Sequence, residues 1–183
     1  MFGHTNEPFS LSRDIPAVII PAGEELTLRA GTSGFITQAL GGSFTIYVEG
    51  NLFRIAGTDA DAIGQEPIAP PELPPDATDS DIESLVWQQM KTCYDPEIPV
   101  NIVDLGLVYS CELNKNEQGQ REVSVTMTLT APGCGMGDIL VDDVRSKLEL
   151  VPTIDRVNVE LTFEPPWNHS MMSEVARLET GMF

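Results

Sequence analysis

The sequence predicts an α+β protein in two parts, a small all-β module and a C-terminal α-β-β-α-β domain whose helices pack on a small mixed sheet. Two observations lead to this prediction. The hydrophobic pattern changes along the chain, from short apolar runs to a mixture of helical and strand periodicities. Between the two patterns, residues 67–79 contain five prolines, several acids and no periodicity, which is typical of an extended linker. The modules are therefore placed at residues 1–66 and 80–183.

The N-terminal module is predicted to contain five strands. Its apolar runs are short and are separated by Gly, Pro and Asn, and the Gly50-Asn51 pair between two runs indicates a hairpin. Strands this few and this short need closure or a partner to protect their edges, so a barrel or roll is expected. The runs cover residues 17–20, 26–28, 35–40, 44–48 and 52–55.

The C-terminal domain is predicted to begin with a helix. Ser80 and Glu83 have the spacing of a capping box, in which each side chain binds the backbone N–H of the other residue. Apolar residues from Ile82 to Tyr94 then recur on one helical face. The helix should end before the Asp-Pro pair that follows, because the residue before a proline disfavours helical geometry.

The rest of the domain alternates strands and helices. Strands are expected over about 106–113 and 122–130, joined by a polar hairpin loop. A helix follows from residue 136 or 137 to about 150, and a short tail helix begins near residue 171. Between them, a third strand alternates polar residues with Val157, Val159, Leu161 and Phe163.

The best candidate for chemistry is Cys134, in a glycine-lined loop between the second strand and the second helix. Gly133 and Gly135 leave its sulfur unshielded by neighbouring side chains. The backbone N–H groups and the dipole of the helix start favour the thiolate, which is the form that attacks electrophiles or binds metal. Cys93 lies among the apolar positions of the first predicted helix and Cys111 in a predicted strand, so both are expected in the core.

A second group of polar residues begins at Asp95 and includes Glu97, Asn101 and Asp104. Its carboxylates could ligate a cation, orient a thiol, or simply cap helices and turns; taken alone, the segment is best interpreted as a solvated loop. His169 could activate a thiol as part of a Cys–His pair, although a lone His is more often a surface or core residue. Both interpretations of His169 stay open at the level of the sequence.

Composition argues against several classes of function. The formal net charge is −18 and the pI is near 4.2, so binding to the phosphates of a nucleic acid is not expected. No run approaches the ~18 apolar residues of a membrane-spanning helix, and the start lacks a basic region followed by an apolar stretch, so a cytoplasmic protein without a membrane anchor is expected. The three cysteines form no Cys-x-x-Cys pair, which argues against a disulfide framework or a single-chain four-thiolate zinc site.

Two motifs resemble a known family. Residues 95–108 read Asp-Pro-Glu-Ile-Pro-Val-Asn-Ile-Val-Asp-Leu-Gly-Leu-Val and residues 130–134 read Thr-Ala-Pro-Gly-Cys, which resembles the metal–sulfur cluster biosynthesis domain of PaaD-like proteins. The whole chain, with Gln-Ala-Leu-Gly-Gly-Ser-Phe-Thr at 38–45 and the tail at 165–174, is similar to SufT-type iron–sulfur cluster assembly proteins. The resemblance implies a factor that carries or helps insert iron–sulfur clusters into apo-proteins, and not a metabolic enzyme.

The resemblance also implies a ligand and partners. Cys134 would be a transient cluster ligand, and the partners would be cluster scaffolds or other assembly proteins and apo-protein clients. Clusters are usually held by four ligands, mainly thiolates, so a homodimer would bring two copies of Cys134 together, with the carboxylates of Asp95 or Glu97, His169, or a small thiol completing the shell. The isolated protein would hold a cluster transiently or not at all. The alternatives are an adaptor that binds no metal and, less favoured, a thiol enzyme that uses Cys134.

The resemblance and the strand order together predict how the site is arranged. A loop entering one strand and a loop leaving its neighbour can share a sheet end, so the Asp95 loop is expected beside Cys134. Thr130 should lie at the same rim, and Asn101 and Asp104 should shape the site. The tail either covers the sheet or contacts partners through its apolar series, Trp167, Met171, Met172, Val175 and Leu178.

Overall fold

The computed structural model describes residues 6–40, 42–95, 98–131 and 137–182, apart from the side chain of Leu40. The chain divides into two compact units between Pro70 and Pro71, within the segment predicted as a linker. Residues 66–78 carry no helix or strand. Each unit has its own buried apolar core and is described by itself.

The first unit is a six-stranded antiparallel sheet with the strand order β1-β4-β5-β6-β2-β3. Five strands match the predicted runs. The sixth, β1, escapes the sequence pattern because its four residues carry one buried side chain, Phe9. A 3₁₀ helix over Gly57–Ile63 adds three further buried apolar residues to the core. The strands are β1 (Glu7–Ser10), β2 (Ile15–Ile20), β3 (Glu25–Leu28), β4 (Ser33–Leu40), β5 (Ser43–Val48) and β6 (Asn51–Ala56).

Hydrogen bonding does not close this sheet into a five-stranded barrel. Among the described residues, β1 pairs only with β4 and β3 only with β2, so both are edge strands. The 3₁₀ helix contacts β1, β5 and β6 and covers part of the core that closure would otherwise protect. The predicted hairpin joins β5 to β6, but its turn is Glu49-Gly50, with φ angles of 47° and 91°, and Asn51 already belongs to β6.

The second unit confirms the predicted α-β-β-α-β order and the small mixed sheet. The sheet has the order β7-β8-β9, with β7 antiparallel and β9 parallel to β8. A 3₁₀ turn over His169–Met171 precedes the tail helix. The elements are α1 (Asp79–Met90), β7 (Val108–Lys115), β8 (Arg121–Met127), α2 (Gly137–Glu149), β9 (Ile154–Leu161) and α3 (Glu174–Thr180).

The ends of α1 differ from the prediction. The capping box is formed by Thr78 and Asp81, not by Ser80 and Glu83: the Thr78 side chain accepts from the Asp81 N–H, and the Asp81 carboxylate accepts from the Thr78 N–H at 2.7 Å. Both pairs have the same spacing, and with Thr78 instead of Ser80 as the N-cap the helix starts two residues earlier than predicted. The helix ends at Met90, so Cys93 lies beyond it, although it is fully buried as predicted.

The core of this unit lies between one face of the sheet and the two long helices. Apolar side chains of the strands and helices form one continuous buried cluster. Asp143 and Lys147 are also buried on α2, and the Lys147 Nζ lies 3.2 Å from an Asp143 carboxylate oxygen. The same ammonium donates to the Thr92 carbonyl at 2.7 Å, which connects α2 to the segment that follows α1. The central cluster residues are Ile82, Val86, Met90, Val123, Val125, Met127, Leu140, Val144, Leu148, Val157 and Val159.

Candidate functional site

Three segments converge at one end of the C-terminal sheet. Val108 at the start of β7 pairs with Met127 at the end of β8, and Met127 pairs with Leu161 at the end of β9. The segment that contains Asp95 enters the sheet here, and the segments leading to the cysteine loop and to the tail leave it here. The backbone N–H of Thr128 donates to the Leu107 carbonyl at 2.8 Å, which joins the first two segments.

Part of the predicted site lies outside the described residues. These residues are Glu97, Gly133, Cys134 and Gly135. The flanking residues on both sides of the cysteine segment are described: Gly137 begins α2, and a Cβ placed on it would stand 2.8 Å from the Leu129 Cδ1. The start of α2 therefore packs tightly on the residue that follows Thr128. The proximity of Cys134 to the carboxylates stays a prediction.

Asp95 is buried, with 6% of its surface exposed, and is not part of a solvated loop. Its carboxylate Oδ1 accepts from the Ile98 N–H at 2.8 Å, and its own N–H donates to the Val100 carbonyl at 3.2 Å. The side chain thus stabilises a turn, one of the three uses that the sequence allowed. Val100, in the same segment, is also buried, whereas Pro99 between Ile98 and Val100 is exposed.

Asn101 and Asp104 form a closed pair of hydrogen bonds farther along this loop. The Asn101 amide Nδ2 donates to the Asp104 carboxylate at 2.6 Å, and its Oδ1 accepts from the Asp104 N–H at 2.9 Å. Both side chains are half-buried. These two hydrogen bonds hold Asn101 and Asp104 together and stabilise the conformation of the loop, which is compatible with the predicted site-shaping role.

The threonines at the end of β8 differ in burial. Thr130 is half-buried, as a residue at a rim would be. Polar and apolar residues alternate over 122–130, a pattern that predicts an outward-facing Thr128, but this residue is fully buried. Within the part of the chain that the structure describes, its Oγ1 has no hydrogen-bond partner. Sequence reasoning misses this residue because β-strand alternation stops at Met127, where the strand ends.

The tail lies on the loop that enters β7. The Trp167 indole N–H donates to the Leu105 carbonyl at 2.7 Å, and the Tyr109 hydroxyl donates to the Pro165 carbonyl at 2.6 Å. Gly106 has a φ of +76°, and a Cβ there would stand 2.2 Å from the Met171 carbonyl oxygen. The absence of a side chain at this glycine therefore allows the tail to approach the loop backbone closely.

The residues of the tail's apolar series differ in burial, and whether the exposed ones contact a partner stays a prediction. Met172 is buried and Trp167 half-buried, whereas Val175 and Leu178 are 58% and 61% exposed on α3. His169 is also exposed, and its ring stands edge-on to the Trp167 ring with 5.2 Å between centroids. Trp167 and Met171, on either side of His169 in the sequence, contact the loop that enters β7, and the relation of His169 to Cys134 stays a prediction.

The other two cysteines are poor sources of thiolate. Cys93 is fully buried. Cys111 is half-buried, and burial, together with the charges of Glu83 and Glu112, raises the pKa of its thiol to about 11. Both observations agree with the prediction that they belong to the core. Within the described ranges, no group of three or more His, Cys, Asp or Glu side chains is placed to hold a metal ion.

Comparison with known proteins identifies the class. The profile of a family described as "Iron-sulfur cluster assembly protein" matches residues 83–161, which include α1 from its fifth residue and the whole sheet. An "Fe-S protein maturation auxiliary factor" of Porphyromonas gingivalis is 48% identical over 99 residues, which is 54% of this chain and 90% of that protein. The chain therefore belongs to the family of Fe–S protein maturation auxiliary factors.

Two further relatives are also named Fe-S protein maturation auxiliary factors. The "Fe-S protein maturation auxiliary factor SufT" of Staphylococcus aureus is 40% identical over 48% of this chain and 96% of its own length. The factor YitW of Bacillus subtilis is 39% identical over 48% of this chain and 82% of its own length. The first unit lies outside the stretch matched by the family profile. No helix among the described residues is long and apolar enough to cross a membrane.

Proposed function

We propose that this protein carries iron–sulfur clusters, or helps insert them into apo-proteins, with Cys134 as a transient ligand of the cluster. The observation that supports this most strongly is the convergence of three segments at one sheet end, in a chain that belongs to a family of maturation factors. The Cys134 segment runs between Ala131, which follows β8 at that end, and Gly137, which starts α2. The fully buried Cys93 and the half-buried Cys111, whose thiol pKa is raised, leave Cys134 as the best thiolate.

Weak ligation suits this role. A cluster is usually held by four ligands, mainly thiolates, and one chain offers one favourable thiolate. A homodimer would bring two copies of Cys134 together, and Asp95, Glu97 or His169 would complete the shell. Incomplete ligation favours release, which a carrier requires. The cluster is then cargo that the isolated protein holds only transiently.

The proposed partners follow from this role. Cluster scaffolds or other assembly proteins would supply the cargo in the cytoplasm, and apo-protein clients would receive it. The protein itself would catalyse no metabolic reaction. The exposed Val175 and Leu178 on α3 favour a second candidate, an adaptor that joins scaffold and client without touching metal.

Anaerobic reconstitution with Fe²⁺ and sulfide tests the proposal. Wild type should acquire visible absorption and bound iron, and Cys134→Ser should lose both while staying folded. Cys111→Ser is the matched control, because that thiol is half-buried and has a raised pKa, and it should behave as wild type. Client maturation by Cys134→Ser at the wild-type rate would instead indicate the adaptor.

A further inference from the structure

The Thr128 hydroxyl is a buried polar group without a hydrogen bond. The residue is fully buried, and its Oγ1 has no partner within the described residues. A buried polar group that lacks a partner carries the full cost of its desolvation. Valine has nearly the same shape, lacks the hydroxyl and would avoid that cost. Native proteins contain few buried polar groups without a hydrogen bond, and a bound ion or a functional role is one of the explanations for such a group.

The location of Thr128 favours the ligand explanation. Thr128 is the first residue beyond β8, and its N–H donates to the carbonyl of Leu107 at 2.8 Å, immediately before β7. The next residue, Leu129, packs against Gly137 at the start of α2. The first residue described after the segment 132–136, Gly137, therefore packs against the neighbour of Thr128 at the same end of the sheet. Thr128, whose hydroxyl has no partner among the described residues, thus lies at the sheet end where the site segments meet.

We propose that Thr128 is a positioning residue of the cluster site, and that its hydroxyl donates a hydrogen bond to a sulfur of the bound cluster or of the thiolate that holds it. The inference rests on the proposed function. A threonine hydroxyl has one O–H to donate, and hydrogen bonds to sulfur are among the factors that set the reduction potential of a cluster. The donor has no partner among the described residues of the ligand-free protein, and the cargo would accept its hydrogen bond when present.

Three variants of the full chain test this role. Thr128→Val removes the hydroxyl and keeps the shape, whereas Thr128→Ser keeps the hydroxyl. Thr126→Val is the matched control, because Thr126 is a half-buried threonine two residues earlier in β8. Each variant is unfolded in urea without cargo. Each is also reconstituted anaerobically with Fe²⁺ and sulfide, and the rate of cluster loss and the reduction potential are measured.

Thr128→Val should unfold at a urea concentration no lower than wild type, because no hydrogen bond is lost from the ligand-free fold. It should lose its cluster about tenfold faster, as expected for one hydrogen bond to a charged group, and its potential should be lower. Thr128→Ser and Thr126→Val should stay within about twofold of wild type in cluster retention.

Several results would overturn the inference. If Thr128→Val keeps its cluster as long as wild type, or if Thr128→Ser loses it as fast as Thr128→Val, the hydroxyl does not contact the cargo. If Thr128→Val unfolds at clearly lower urea without cargo, the hydroxyl has a structural partner instead. If wild type itself acquires no cluster in this experiment, this inference fails, whereas the carrier function is judged separately by whether Cys134→Ser still matures clients at the wild-type rate.

Discussion

Replacing Lys147 by methionine should strongly destabilise the C-terminal unit. Lys147 and Asp143 are 8% and 7% exposed, and the ammonium lies 3.2 Å from the carboxylate and 2.7 Å from the Thr92 carbonyl. Methionine fills most of the space but leaves a buried carboxylate without this cation. Removing one partner of a buried pair typically costs about 3–5 kcal/mol of the free energy of unfolding. Losing the donor to the Thr92 carbonyl adds about 1 kcal/mol.

Urea unfolding followed by tryptophan fluorescence measures this effect directly. Both tryptophans, Trp87 and Trp167, belong to the second unit, so the signal reports on that unit. The double variant Asp143→Leu/Lys147→Met should recover much of the lost stability, because replacing both ions by apolar groups removes their desolvation cost. Lys91→Met is the control, since Lys91 is exposed, and should change stability by no more than about 0.5 kcal/mol.

The reasoning fails if Lys147→Met costs no more than Lys91→Met. It also fails if Asp143→Leu/Lys147→Met is less stable than Lys147→Met. The unpaired Asp143 carboxylate would then not be the cause of the lost stability in Lys147→Met. The pair connects α2 with the segment that leads from Thr92 to Asp95. Its loss should therefore also speed amide hydrogen exchange at Ile98, whose N–H binds the Asp95 carboxylate.

Three further predictions concern cysteine reactivity, the tail and acid stability. Alkylation of the native protein near pH 7, followed by peptide mapping, should modify Cys134 well before Cys93 and Cys111. Cys93 is fully buried, and the thiol of Cys111 has a pKa of about 11. Equal labelling of all three cysteines would contradict this prediction. Gly106→Ala should destabilise the protein and expose the tail to protease, because the new Cβ would stand 2.2 Å from the Met171 carbonyl oxygen. Gly119→Ala is the control, since Gly119 has the same φ of +76° and a Cβ there would have no atom within 4 Å. An equal loss of stability in both variants would show that the φ angle alone is responsible. Hydrogen bonding from Arg121 and the nearby charge of Lys115 hold the pKa of Asp79 below its ordinary value of 3.8. The contribution of Asp79 is therefore present above that value and lost as the pH falls through the lower folded pKa, and Asp79→Asn should weaken the acid dependence of unfolding.

Local patterns in the sequence predict most of the secondary structure, because apolar periodicity depends on which face of each element is buried. The α-β-β-α-β order follows from them, and so do five of the six strands of the first unit. The same reasoning places α1 but misplaces its ends. Thr78 and Asp81 have the same spacing as Ser80 and Glu83, and spacing alone does not distinguish two overlapping capping boxes.

The sequence by itself determined the family, through two motifs separated by more than twenty residues, and the buried state of Cys93. Only the tertiary structure decided that Asp95 is buried in a turn, that the tail lies on the loop at Gly106, and that Thr128 is buried with no hydrogen-bond partner for its hydroxyl among the described residues. Each of these depends on contacts between segments far apart in the chain. Periodicity reports which face of an element is apolar, but it carries no information about what covers a residue where the element ends.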